Sequence, residues 1–115
     1  MDFSGASRYF CPVQNNTLQI GAVGSKVSEA QAAQLVAQAL PVANYQGKKI
    51  LLIVPDHTRT APVGLLFKSI FAQIGAVTKK LDVLTALGTH PPMSEAAICE
   101  RLEISVEQHR GEYKK

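Results

Sequence analysis

Two short apolar runs, separated by a stretch with helical spacing, constrain this chain more than any other feature. The first, Ile50-Leu51-Leu52-Ile53-Val54, is continuous rather than alternating and rich in β-branched residues, the pattern of a central parallel strand covered on both faces. The second extends from Leu81 to Leu87. Between them Pro62 stands at a helix start, where its missing N–H is no loss. Val63, Leu66, Phe67, Ile70, Phe71 and Ile74 then mark one apolar side, and Gly75 is placed to end the helix. A connection of that length is a helical crossover, so the strands are expected to be parallel neighbours joined in the right-handed sense. The predicted fold class is α/β: an open, mainly parallel sheet with helices packed on it and a βαβ connection between these two strands.

The flanking segments add helices. Ser28 with Gln31 three residues later has the form of a capping box, and Ala32, Leu35, Val36, Ala39 and Leu40 follow at helical spacing until Pro41. Ser94 begins another helix, through about Leu102. Thr17 to Ala22 alternates like a strand, residues 1–16 read as irregular, and His109-Arg110-Gly111-Glu112 reads as a polar surface tail. A chain of 115 residues bounds all this to about one domain, and 46% apolar with 18% charged residues is enough to build a core.

Charge and cysteine usage narrow the class of partner. The net charge of +3 sits in separated pairs, Lys48-Lys49, Lys79-Lys80 and Lys114-Lys115, with no aromatic-rich basic stripe, so nucleic-acid binding is not expected. The longest apolar run, Ile50 to Pro55, falls far short of the roughly 20 residues that cross a bilayer, and Met1 to Phe10 has no signal core. Cys11 and Cys99 lie far apart without metal-ligand spacing and read as reduced thiols of a cytoplasmic protein.

If both strands run the same way, the turn Pro55-Asp56-His57-Thr58-Arg59-Thr60 and the turn Gly88-Thr89-His90 leave one edge of the sheet, where open parallel sheets bind ligands. Asp56 at a strand end often only caps its turn; functionally it can orient an imidazole, hold a ligand hydroxyl or contribute to a metal site. Arg59 is either a solvated charge or a planar fork for a carboxylate or phosphate. His90 follows a glycine that permits close backbone approach and is the better placed acid/base candidate; His57 reads as solvent-facing. Thr58 and Thr89 are ligand donors or local capping hydroxyls. His57, His90 and Asp56 lack the paired spacing of a zinc motif, and no Gly-rich phosphate loop is present, so no metal ligand is assigned.

The segments ILLIVPDHTRT (50–60) and LTALGTHPPM (84–93), with the helices between and after them, resemble the N-terminal domain of the nickel-dependent lactate racemase family. The paired signature, D-x-T-R after one strand and G-T-H after the next, is more specific than either half. What the resemblance implies is an isomerase that interconverts the D and L forms of lactate or a related 2-hydroxy acid with a nickel-pincer nucleotide. In that chemistry a histidine takes the hydroxyl proton while hydride passes to the cofactor. His90 matches one such catalytic histidine, Asp56 the site's acidic residue, and Arg59 the arginine that holds the substrate carboxylate, with Thr58 and Thr89 near the cofactor.

Members of that family are several times longer. Their second catalytic histidine, cofactor-tethering lysine and nickel-ligand histidine lie further along than this chain reaches, so it is expected to be a truncated domain, inactive alone, whose partner is the missing C-terminal domain. Pro91 stands where a basic residue is common after G-T-H, and Thr60 where proline is common after D-x-T-R. A different class of function is also open: a non-catalytic domain binding a small carboxylate or nucleotide phosphate through Arg59, Thr58 and Thr89. A third is pairing with another chain, a second copy included, through an exposed sheet edge.

Overall fold

In the computed structural model, which describes residues 17–115, the two apolar runs form β1 (Lys49–Pro55) and β2 (Lys80–Ala86). They pair as a two-stranded parallel sheet, in register from Lys49 opposite Lys80 to Pro55 opposite Ala86. Before the sheet come α1 (Glu29–Ala39) and a 3₁₀ turn at Val42–Asn44; α2 (Val63–Ile74) connects the strands; α3 (Glu95–Arg101) and α4 (Val106–Arg110) follow. The α/β class and the helix between parallel strands agree with the sequence. The reading of residues 1–16 as irregular, and that of Cys11 as a reduced thiol, lie outside the described residues.

Local signals account for most helix limits. Ser28 accepts the Gln31 N–H while the Gln31 side chain accepts the Ser28 N–H, which is the capping box the sequence announces. Gln73 of α2 donates to the carbonyls of Ala37 and Leu40, so the open C-terminal end of α1 is satisfied by the helix it packs on. Gly75 at the C-cap of α2 is not in a left-handed backbone, and what the position requires is the absence of a side chain. Its φ is −57°, and a Cβ there would lie 2.4 Å from the Phe71 carbonyl oxygen. In α2 Val63, Phe67 and Ile74 are buried as the spacing predicts, whereas Leu66 is exposed.

The core lies on one face of the sheet. Val63, Phe67, Ile74, Leu81, Cys99, Leu102 and Ile104 are buried there, with Ile50, Leu52, Val54 and Val83 packed against them. Phe67, Phe71 and Tyr113 form an aromatic cluster, the Phe71 and Tyr113 rings 4.7 Å apart edge to face. Cys99 is a buried free thiol, and burial pushes its pKa up.

Two expectations are corrected. Thr17 to Ala22 is not a strand: no neighbour pairs with it among the described residues, and it runs into the turn Ala22–Ser25. Alternation stabilises a strand only where another backbone takes its hydrogen bonds and one face is buried. Nor do the described residues cover β1 on both faces. Its odd-numbered side chains, Leu51 at 56% and Ile53 at 65% exposure, look outward with Leu84 at 51%, because the described helices pack on the opposite face. The tail His109 to Glu112 is exposed as expected; ahead of it Ser105 and Gln108 form a second capping box that opens α4, and Val106 and Tyr113, on either side of it, reach the core. Among the described residues no helix is long and apolar enough to cross a membrane.

A one-sided core makes a direct prediction. Phe67→Ala should cost about 3–5 kcal/mol of unfolding free energy in urea titration, while Ile53→Thr on the open face should cost less than about 0.5 kcal/mol. Comparable losses from the two would mean that the outer face is packed.

Candidate functional site

The register of the sheet brings the two polar turns together. Pro55 and Ala86 are partners at the ends of parallel strands, so the residues after them emerge side by side. Each emerging segment then closes on itself. The Arg59 N–H donates to the Asp56 carbonyl at 3.3 Å, and the His90 N–H donates to the Leu87 carbonyl at 2.9 Å. Gly88 takes φ +58° in the second turn, a conformation that a side chain would strain, and this brings His90 back towards the sheet edge.

Asp56 joins the two turns through its two carboxylate oxygens. Oδ1 accepts the Thr58 hydroxyl at 2.6 Å and the Thr58 N–H at 3.1 Å, which fixes the first turn. Oδ2 faces His90 Nδ1 at 2.5 Å, a contact between residues 34 positions apart in the chain. The Asp56 side chain is only 3% exposed, whereas the His90 side chain is 47% exposed. The Thr58 hydroxyl bond is the largest influence holding the Asp56 pKa down to about 2; burial opposes it, and the contacts with His90 and the Thr58 amide assist. At neutral pH Asp56 is therefore an anion and can only accept. His90 Nδ1 must carry the hydrogen in that contact, so in the neutral ring Nε2 is the nitrogen that holds the lone pair.

The remaining residues singled out from the sequence lie around this pair. Arg59 is exposed and enters no ion pair among the described residues. The Thr58 hydroxyl is engaged with Asp56, the local use weighed for it above. Thr89 is exposed in the second turn beside His90. His57 is exposed and lines a neighbouring cleft of about 480 Å3 with Met93, Glu100 and Arg101. His109 stays on the surface of α4, where it and Arg110 contact Glu95.

One participant has no signal in the sequence. Arg101 of α3 donates from Nη2 to the Arg59 carbonyl at 2.5 Å and from Nε to the Pro55 carbonyl at 3.4 Å. Nothing in residues 95–101 distinguishes this arginine from one placed to favour the helix C-terminus; only the tertiary fold shows where it reaches. Among the described residues no group of three His, Cys, Asp or Glu side chains converges to hold a metal ion. The arrangement is chemically a proton-handling pair, one imidazole oriented by one buried carboxylate, with a guanidinium nearby along the chain.

A family model described as the lactate racemase N-terminal domain matches residues 12–109. No curated protein and no solved structure matches the chain.

Titration of the Asp56 carboxyl carbon should give a midpoint near 2, against an ordinary value of 3.8. Thr58→Val, which removes the main donor, should move the midpoint up towards that ordinary value. The sign for stability follows. Because the folded-state pKa is depressed, this contribution is fully present above the ordinary value and is lost as pH falls towards 2. Urea midpoints measured across that window should fall more steeply for the wild-type chain than for Asp56→Asn; parallel curves would contradict the assignment.

Proposed function

We propose that this chain, which belongs to the lactate racemase N-terminal domain family, supplies one acid/base group and the carboxylate-binding group for proton transfer on a 2-hydroxy acid. The observation that carries the reading is the 2.5 Å contact between His90 Nδ1 and Asp56 Oδ2. With Nδ1 committed to the carboxylate, Nε2 is the atom that accepts the substrate's hydroxyl proton. The buried anion steadies the imidazolium that forms, and the same proton returns in the reverse direction. Arg59 receives the substrate carboxylate through a charge-assisted fork, which fixes the hydroxyl relative to the imidazole. Lactate is the simplest substrate of this class.

The nickel-pincer nucleotide implied by the family resemblance does not fit a ligand set in the described residues. The imidazole and the carboxylate at this edge are already bonded to each other, and no third donor joins them. No step is therefore assigned to that group, and none of the described residues is assigned to hydride transfer. The proposed partner is the remainder of the same enzyme, which brings the second base and the cofactor site. The chain alone is accordingly proposed to be without racemase activity.

Titration of the chain with lactate and with pyruvate, followed by calorimetry and, where His90 is retained, by its ring signals, tests the reading. Saturable shifts are expected, and Arg59→Gln should weaken binding roughly tenfold to a hundredfold, the value of a hydrogen bond to a charged group. His90→Gln should leave the affinity within about threefold, because that group handles the proton rather than the carboxylate. Absence of binding, or racemisation by the purified chain with no partner, would overturn the proposal. Binding of nucleotide phosphate in place of hydroxy acid would favour a non-catalytic module instead.

A further inference from the structure

Arg101 contacts the first turn at the two places where that turn begins and ends. Pro55 is the last residue of β1 and Arg59 closes the turn by donating to the Asp56 carbonyl; the carbonyls of Pro55 and Arg59 are the ones that Arg101 takes. Between them lie Asp56, His57 and Thr58. The side chain comes from the last turn of α3, and the neighbouring Cys99 and Leu102 are buried in the core. A rigid, core-anchored element is thus tied by one planar donor group to the segment that carries the candidate site.

We propose that Arg101 is a positioning residue, whose guanidinium clamps the Pro55–Arg59 turn so that Asp56 is held against His90 and Arg59 is presented to a substrate carboxylate. It touches neither substrate nor the reacting atoms; it acts through the turn. An arginine suits the task because its N–H groups are fixed in one plane and can serve two carbonyls together, which a lysine ammonium on a flexible stem cannot do in a set geometry. Apart from the Asp56–His90 contact, the other bonds of the turn are local, within residues 56 to 59, and none of them fixes its placement on α3. Arg101 supplies that long-range tie, across 42 residues to Arg59 and 46 to Pro55.

The inference rests on the proposed function for what Arg59 and Asp56 are positioned to do, but its own test does not require substrate. Amide hydrogen exchange is measured in the full chain for wild type, Arg101→Lys and Arg101→Gln, alongside the thermal midpoint. Exchange at the Thr58 and Arg59 amides should speed up roughly tenfold or more in both variants, since a hydrogen bond to a charged group is removed. Amides of β1, β2 and α2 should be unchanged. The conservative Arg101→Lys variant separates clamp from charge: equal loosening in both variants supports the two-carbonyl clamp, and full rescue by lysine would overturn it. Unchanged exchange in both variants would also overturn it, as would uniform loosening of the strands, which marks a merely structural residue.

Lactate titration of the same proteins gives the second arm. Wild type should bind and both variants should bind roughly tenfold more weakly, with the His90–Asp56 ring signal broadened. If wild type itself does not bind lactate while the turn amides still loosen, the clamp stands and only the hydroxy-acid reading falls. If wild type binds and the variants bind equally well, the positioning role is contradicted.

Discussion

The buried carboxylate of Asp56 is the constraint on which the candidate site depends. A carboxylate that is almost withdrawn from solvent is tolerated only when its oxygens are satisfied, and here each oxygen has a separate task. One is saturated by the Thr58 hydroxyl and amide and so defines the shape of the first turn; the other faces the imidazole of His90 on the second turn. Neither turn would need an ionised group merely to reverse direction. Because the carboxylate is an anion at neutral pH and can only accept, the His90 nitrogen that faces it bears the hydrogen, so Asp56 sets the hydrogen placement of a residue 34 positions away.

The sheet is what allows that contact to exist. Parallel pairing of β1 and β2 in register puts the residues after Pro55 and Ala86 at one edge, which an antiparallel hairpin would place at opposite ends. The crossover helix is held down by Phe67 and Ile74, and the later helices bring Leu102, Ile104 and Tyr113 to the same side. All of the described packing is therefore on one face. The other keeps Leu51, Ile53 and Leu84 open, although the composition of β1 suits a strand buried on both sides.

Much of this was legible in the residues. The continuous apolar runs and the helical spacing of residues 63–74 dictated the parallel pair, and that topology by itself placed the turns of Asp56, Arg59 and His90 at one edge of the sheet. What remained hidden depends on tertiary placement. The exposure of Leu51 and Ile53 reflects which face the helices choose, and periodicity is silent when both faces are apolar. The strand expected at Thr17 to Ala22 failed because alternation says nothing of whether a partner backbone lies alongside. The helix α4 was signalled by the same Ser-to-Gln spacing that was used at Ser28, and the short polar stretch after Ser105 obscured it. Arg101 could not have been found by any local rule, since its partners are carbonyl oxygens more than forty residues away.

The central claim is that Asp56 fixes the tautomer of His90, and the ring nitrogen chemical shifts of the neutral His90 ring test it most directly. The account predicts a protonated Nδ1 and an Nε2 with the shift of a free lone pair, with that preference lost in Asp56→Asn. A ring protonated mainly at Nε2, or averaging between tautomers as a solvated histidine does, would contradict it.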